Sequence, residues 1–72
     1  MEIRQLRYFL AAIRQGSLRA AAKKHFVTQP AVSVQLKKLE EEIGEKLYYR
    51  AGKHLSTSAS RFVALCERFW SL

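Results

Sequence analysis

The chain has a single proline, Pro30, and it stands within VTQPAVSVQLKKLE, residues 27–40, whose apolar residues otherwise recur at helical spacing. A proline inside a helix removes a backbone hydrogen bond and clashes with the preceding turn, so a helix here has to begin just before it. Thr28 supplies that start. Its hydroxyl can accept a free N–H of the first turn, which puts Gln29 and Pro30 at the first two helical positions, where the missing N–H had no intrahelical partner. The helix then runs to Gly44, a residue suited to the left-handed position after a helix end. At about 100° per residue, Val32, Leu36, Leu39 and Ile43 fall within about 60° of one another and form a core stripe. Pro30, Ser33, Val34, Lys37 and Glu41 lie opposite, with Lys38 to one side. The polar and basic outward residues come first along the helix, and the run Glu40, Glu41, Glu42 follows toward its C-terminal end.

The rest of the chain organises around this helix. Seventy-two residues make one small domain with a modest core. In residues 3–15, Leu6, Phe9, Leu10 and Ile13 recur as one apolar stripe, closed by Gly16. Ser17 is placed to cap a short second helix in LRAAAKKHF, where the alanines at 20–22 let another helix approach closely. Beyond Gly44, KLYYRAGKHLS has Leu47, Tyr48, Tyr49 and Leu55 at extended-favouring positions around a basic turn containing Gly52, which predicts a two-stranded hairpin over about 47–56. Ser56 or Ser58 then caps a last helix with Phe62, Val63, Cys66, Phe69 and Trp70 on one broad side. That stripe is too heavy for a monomer surface, so it is core or interface, and interface is favoured. The apolar pattern is still running at Leu72, as expected of a piece of a longer protein.

Charge narrows the function classes. Thirteen Lys and Arg face six acids, all glutamate, for a net charge of +7, and there is no Asp or Asn. Residues 1–38 hold eight bases against one acid, residues 39–46 are net acidic, and residues 47–72 are basic again. Such a balance favours a polyanionic partner. One cysteine excludes an internal disulfide and suits a reducing compartment. Arg4, Arg7 and Arg14 interrupt the N-terminal apolar run, so it reads as neither a signal peptide nor a membrane span. The expectation is a cytoplasmic chain without a membrane role. His25, His54 and Cys66 are scattered with no metal-ligand spacing, and no phosphate-cradling glycine loop or nucleophile elbow is present. No enzyme, metal site or cofactor is expected.

Two short helices joined by the tight HFVT turn make a helix-turn-helix, about residues 17–43, and a basic hairpin after it makes the winged variant. In that geometry the second helix enters the major groove by its N-terminal end. The pieces LRYFL (6–10), GSLRAAAK (16–23), VTQPAVSVQLKKLEEEIGEKLYYR (27–50) and LSTSA (55–59) together resemble the N-terminal DNA-binding region of LysR-type transcriptional regulators. The resemblance covers nearly the whole chain. It implies a mainly α fold: three helices and a short two-stranded β wing over residues 1–56, then the start of a linker and dimerisation helix over 57–72. The family usually continues into an effector-sensing domain, so any small-molecule effector belongs there.

The resemblance also implies roles. Thr28 caps the helix beside the phosphate backbone, and Gln29 is the base-reading glutamine, whose amide offers adenine a paired donor and acceptor. Pro30 and Ser33 line the same surface, and Lys37 and Lys38 face phosphates. Arg50 follows the first wing strand, while Lys53 and His54 sit at the wing tip near the minor groove. Tyr8, Phe9 and the last helix, with Phe62, Val63, Cys66, Phe69 and Trp70, are dimerisation elements. The expected partners are double-stranded DNA and a second copy of the chain, with a tetramer as the further option in a longer protein. Two departures stand out. Many relatives have arginine after the serine at 33, where this chain has Val34, a residue able to touch a thymine methyl. If LSTSA aligns with the family's Leu-Thr-x-Ala-Gly, Ala59 takes the place of the glycine and the wing is shorter than usual. Two bland alternatives are a helical protein-interaction module, basic only for solubility, and an RNA binder.

Overall fold

A computed structural model describes residues 2–57 and 59–71, with side chains through residue 68. In α1 (Ile3–Gln15), the apolar spacing becomes one buried stripe: Leu6, Phe9 and Leu10 are sealed together with Tyr8, Ala11 and Ala12. Gly16 ends the helix at φ 77°, where only glycine avoids steric cost, and its N–H bonds to the Ala12 carbonyl at 2.9 Å. Ser17 caps α2 (Leu18–Lys24) by accepting the Ala20 N–H at 3.0 Å. Ala21 and Ala22 are buried, as the need for close helix approach requires.

The turn after α2 is a Schellman motif. The Phe26 N–H bonds to the Lys23 carbonyl at 3.3 Å and the Val27 N–H to the Ala22 carbonyl at 3.0 Å. This pairing needs a left-handed residue after the cap, usually glycine. Here it is Phe26, at φ 57°, the one non-glycine residue with positive φ among those described. The left-handed backbone costs about 1–2 kcal/mol for an L-residue with a side chain. The ring is 96% exposed and recovers none of that by packing.

Thr28 caps α3 (Gln29–Ile43) as expected, its Oγ1 accepting the Ala31 N–H at 3.3 Å. Val32, Leu36 and Leu39 are buried, with Ile43 packed at the edge. Strands β1 (Tyr49–Ala51) and β2 (His54–Ser56) pair antiparallel, Arg50 opposite Leu55 and Ala51 opposite His54. Gly52, at φ 66°, and Lys53 form a two-residue turn, with glycine at the central position that favours it. The hairpin is shorter than the predicted 47–56 for a visible reason. Leu47 is buried, its N–H goes to Glu40 Oε2 at 2.7 Å, and its carbonyl accepts from Thr57 Oγ1. With both backbone groups engaged, Leu47 cannot join the ladder.

Helix α4 (Ser60–Ser71) starts later than predicted. Ser56 belongs to β2, Ser58 lies outside the described residues, and the entry is made by Thr57 Oγ1, which accepts the Ala59 N–H at 3.0 Å. The helix packs on α1: the Phe62 and Phe9 rings lie 5.5 Å apart, Cys66 is 1% exposed, and Arg14 pairs with Glu67 at 2.9 Å on the surface. This corrects part of the dimer assignment. Phe9 and Cys66 are already surrounded by their own chain, so their side chains have no surface left for a second copy, and Tyr8 keeps only a small exposed edge. Among the described residues no helix is long and apolar enough to cross a membrane.

Candidate nucleic-acid interface

The three flanks of α3 face different things. On one flank Gln35 Oε1 accepts from Gln5 Nε2 at 3.2 Å, and Gln5 Oε1 in turn accepts the Glu2 N–H at 3.1 Å, so the start of α1 is tied to the reading helix. On the other flank Glu40 holds the Leu47 N–H, just before the wing. Gln29 and Ser33 share the Glu40 flank, because seven and eleven residues are close to whole helical turns. The outward strip between the flanks carries Pro30, Val34 and Lys37. Thr28, Gln29, Pro30, Val34, Lys37 and Lys38 are exposed and Ser33 is half-exposed. The residues predicted to read DNA therefore lie together on the open side of a helix anchored by Val32, Leu36 and Leu39. Beside them runs an open groove of about 410 Å³, lined by Arg4, Tyr8, Thr28, Pro30, Val34 and Gln35.

The wing residues divide. Arg50 and Lys53 are exposed, Lys53 within the turn itself. His54 follows in β2, and its imidazole occupies the space beside Gly16: a Cβ on Gly16 would fall 2.3 Å from His54 Cε1 and 2.4 Å from Nδ1. The next residue, Leu55, is buried and donates its N–H to the Gly16 carbonyl at 2.9 Å. His54 thus flanks the turn as an exposed residue and also braces the wing against the α1–α2 corner at Gly16.

Of the residues proposed for dimerisation, Phe62 and Val63 are half-buried against the core, and the side chains of Phe69 and Trp70 lie outside those described. The outward side of α4 instead shows Ala64 and Leu65, the latter 46% exposed. Sequence reasoning also passed over Phe26. The available signal was a phenylalanine in a tight helix-to-helix turn, where glycine is expected. His25 packs against Tyr8 with ring centroids 5.2 Å apart. Burial, then the charges of Lys24 and Arg7, pull its pKa below the ordinary histidine value. Among the described residues no group of three or more His, Cys, Asp or Glu could hold a metal ion.

A capped helix exposing a polar and basic edge, followed by a basic two-stranded wing, defines a winged helix-turn-helix DNA-binding domain. The profile described as "Bacterial regulatory helix-turn-helix protein, lysR family" matches residues 3–60. The chain belongs to the LysR family of bacterial regulators. It is 38% identical over 74 residues to the HTH-type transcriptional regulator TfdS of Cupriavidus pinatubonensis (strain JMP 134 / LMG 1197), covering 100% of this chain and 25% of that protein. To BsdA of Bacillus subtilis (strain 168), also an HTH-type transcriptional regulator, it is 46% identical over 57 residues, 79% of this chain and 20% of that one. The chain thus spans about a quarter or less of the length of these relatives. Among solved structures, the DNA-binding domain of BenM in complex with catB site 1 DNA superposes with a TM-score of 0.92 at 36% identity, covering 99% of this chain and 81% of that one. The CbnR DNA-binding domain in its DNA complex gives 0.89 at 34% identity, covering 99% and 84%.

Proposed function

We propose that the chain binds double-stranded DNA sequence-specifically, as a transcriptional regulator's DNA-binding domain, by seating the N-terminal half of α3 in the major groove. The carrying observation is the open surface of α3, where Gln29 is exposed at the capped N-terminal end and Val34 and Lys37 on the outward strip, while the opposite stripe is locked in the core. Gln29 offers an adenine edge a paired donor and acceptor, and Val34 a methyl contact to thymine. Lys37, Lys38, Arg50 and Lys53 engage phosphates, so affinity falls steeply with salt. A homodimer with α4 as the joining element, its exposed Leu65 and half-exposed Phe62 and Val63 at the contact, presents two reading helices to a near-palindromic site. This reading involves no cofactor.

The test begins with selection from a random duplex pool. Gln29→Ala is then titrated against the enriched duplex, a random duplex and folded RNA at two salt concentrations. The expected result is a loss of about 1–3 kcal/mol on the enriched duplex and little change on random DNA. Equal losses on both duplexes would reduce Gln29 to a positioning role, and preference for RNA would overturn the reading.

A further inference from the structure

Phe26 has no structural justification within the domain. Its position in the Schellman turn is one that glycine fills without steric cost, yet it holds a left-handed φ of 57° with a 96% exposed ring. A residue that is unfavourable in both backbone and side chain points to use outside the fold. Its setting indicates what it meets. Lys23 and Lys24, both exposed, close the last turn of α2 ahead of the half-buried cap residue His25 that precedes it, and exposed Thr28 and Gln29 begin α3 immediately after Val27. An apolar protein partner would call for a contiguous greasy patch, and the exposed residues of α2 are Arg19, Lys23 and Lys24. A lone ring among cations at the edge of a DNA-reading face instead complements a sugar–phosphate strand, apolar at the deoxyribose and anionic on either side.

We propose that Phe26 is a DNA-contacting residue, its ring lying against a deoxyribose of the strand that passes the N-terminal end of α3, with Lys23 and Lys24 at the flanking phosphates. This rests on the DNA-binding reading above. The contact adds affinity without releasing counterions, which separates it from every lysine contact.

The decisive variant is Phe26→Gly, which suits the backbone better than the natural residue. Its melting temperature should equal or exceed that of the parent chain. Its affinity for the enriched duplex should be about tenfold weaker at every salt concentration, with the slope of log affinity against log salt unchanged. Phe26→Tyr should bind as the parent does. If the parent binds the enriched duplex and Phe26→Gly binds equally well, this proposal is overturned while the DNA-binding reading stands. A melting temperature for Phe26→Gly lowered by more than glycine's larger unfolded-state entropy accounts for would show that the ring packs within the chain, and would overturn it too. If the parent enriches no duplex from the pool, both fall together.

Discussion

Replacing Gly16 with alanine strikes the corner where the wing is tied down. Gly16 has φ 77°, so alanine there bears about 1 kcal/mol of backbone strain, offset in part by the smaller entropy its unfolded chain would lose. The new Cβ also falls 2.3 Å from His54 Cε1, a contact no real pair of atoms tolerates. Because His54 is exposed, its ring can swing outward. The added cost is then its lost packing and a weakened Leu55-to-Gly16 hydrogen bond, about 1 kcal/mol. The sum is about 1–2 kcal/mol, or roughly 5–15 °C in melting temperature for a domain of this size. Thermal unfolding followed by circular dichroism measures it. A double-mutant cycle isolates the cause: with His54→Ala in place, Gly16→Ala should cost only the backbone strain, leaving a coupling of about 0.5–1 kcal/mol. An identical cost with and without His54 would refute the brace.

Three further outcomes are expected. Lys38→Ala should weaken binding to all duplexes alike and flatten the salt dependence by about one ion, as a titration at several salt concentrations would show. Glu40→Ala leaves the Leu47 N–H without its acceptor and should lower stability by about 1–2 kcal/mol in urea unfolding, whereas an exposed Glu41→Ala should change it little. Burial, with the Glu67 charge adding to it, lifts the Cys66 thiol from 9.0 to about 11. The folded state therefore holds the proton more tightly than the unfolded one, and stability should decline as pH rises from about 9 to about 11. At pH 8 a thiol reagent should label the unfolded chain and spare the folded one.

The helices were legible because each carries its own punctuation. Thr28, Ser17, Gly16 and Gly44 sit where caps and stops are needed, and the Val32, Leu36 and Leu39 stripe admits one orientation of α3. Outward-facing Pro30 and Val34 follow from that stripe alone, whereas Gln29 is exposed because it opens the helix, ahead of the first buried turn. Features that depend on contacts distant in sequence were not legible. Nothing near His54 announces Gly16, and Glu40 reads as one of three solvated glutamates until its carboxylate meets Leu47. Cys66 and Phe62 form an apolar stripe whether the neighbour is α1 or a second copy, and only the packing decides.

The flanks of α3 separate what selection is free to rewrite from what it must keep. The side chains of Gln29, Ser33 and Val34 touch solvent and make no hydrogen bond among the described residues, while those of Gln35 and Glu40 are fastened to α1 and to the wing entry. A new target sequence could therefore be acquired by exchanging the former set, with the scaffold and the aim of the hairpin left intact.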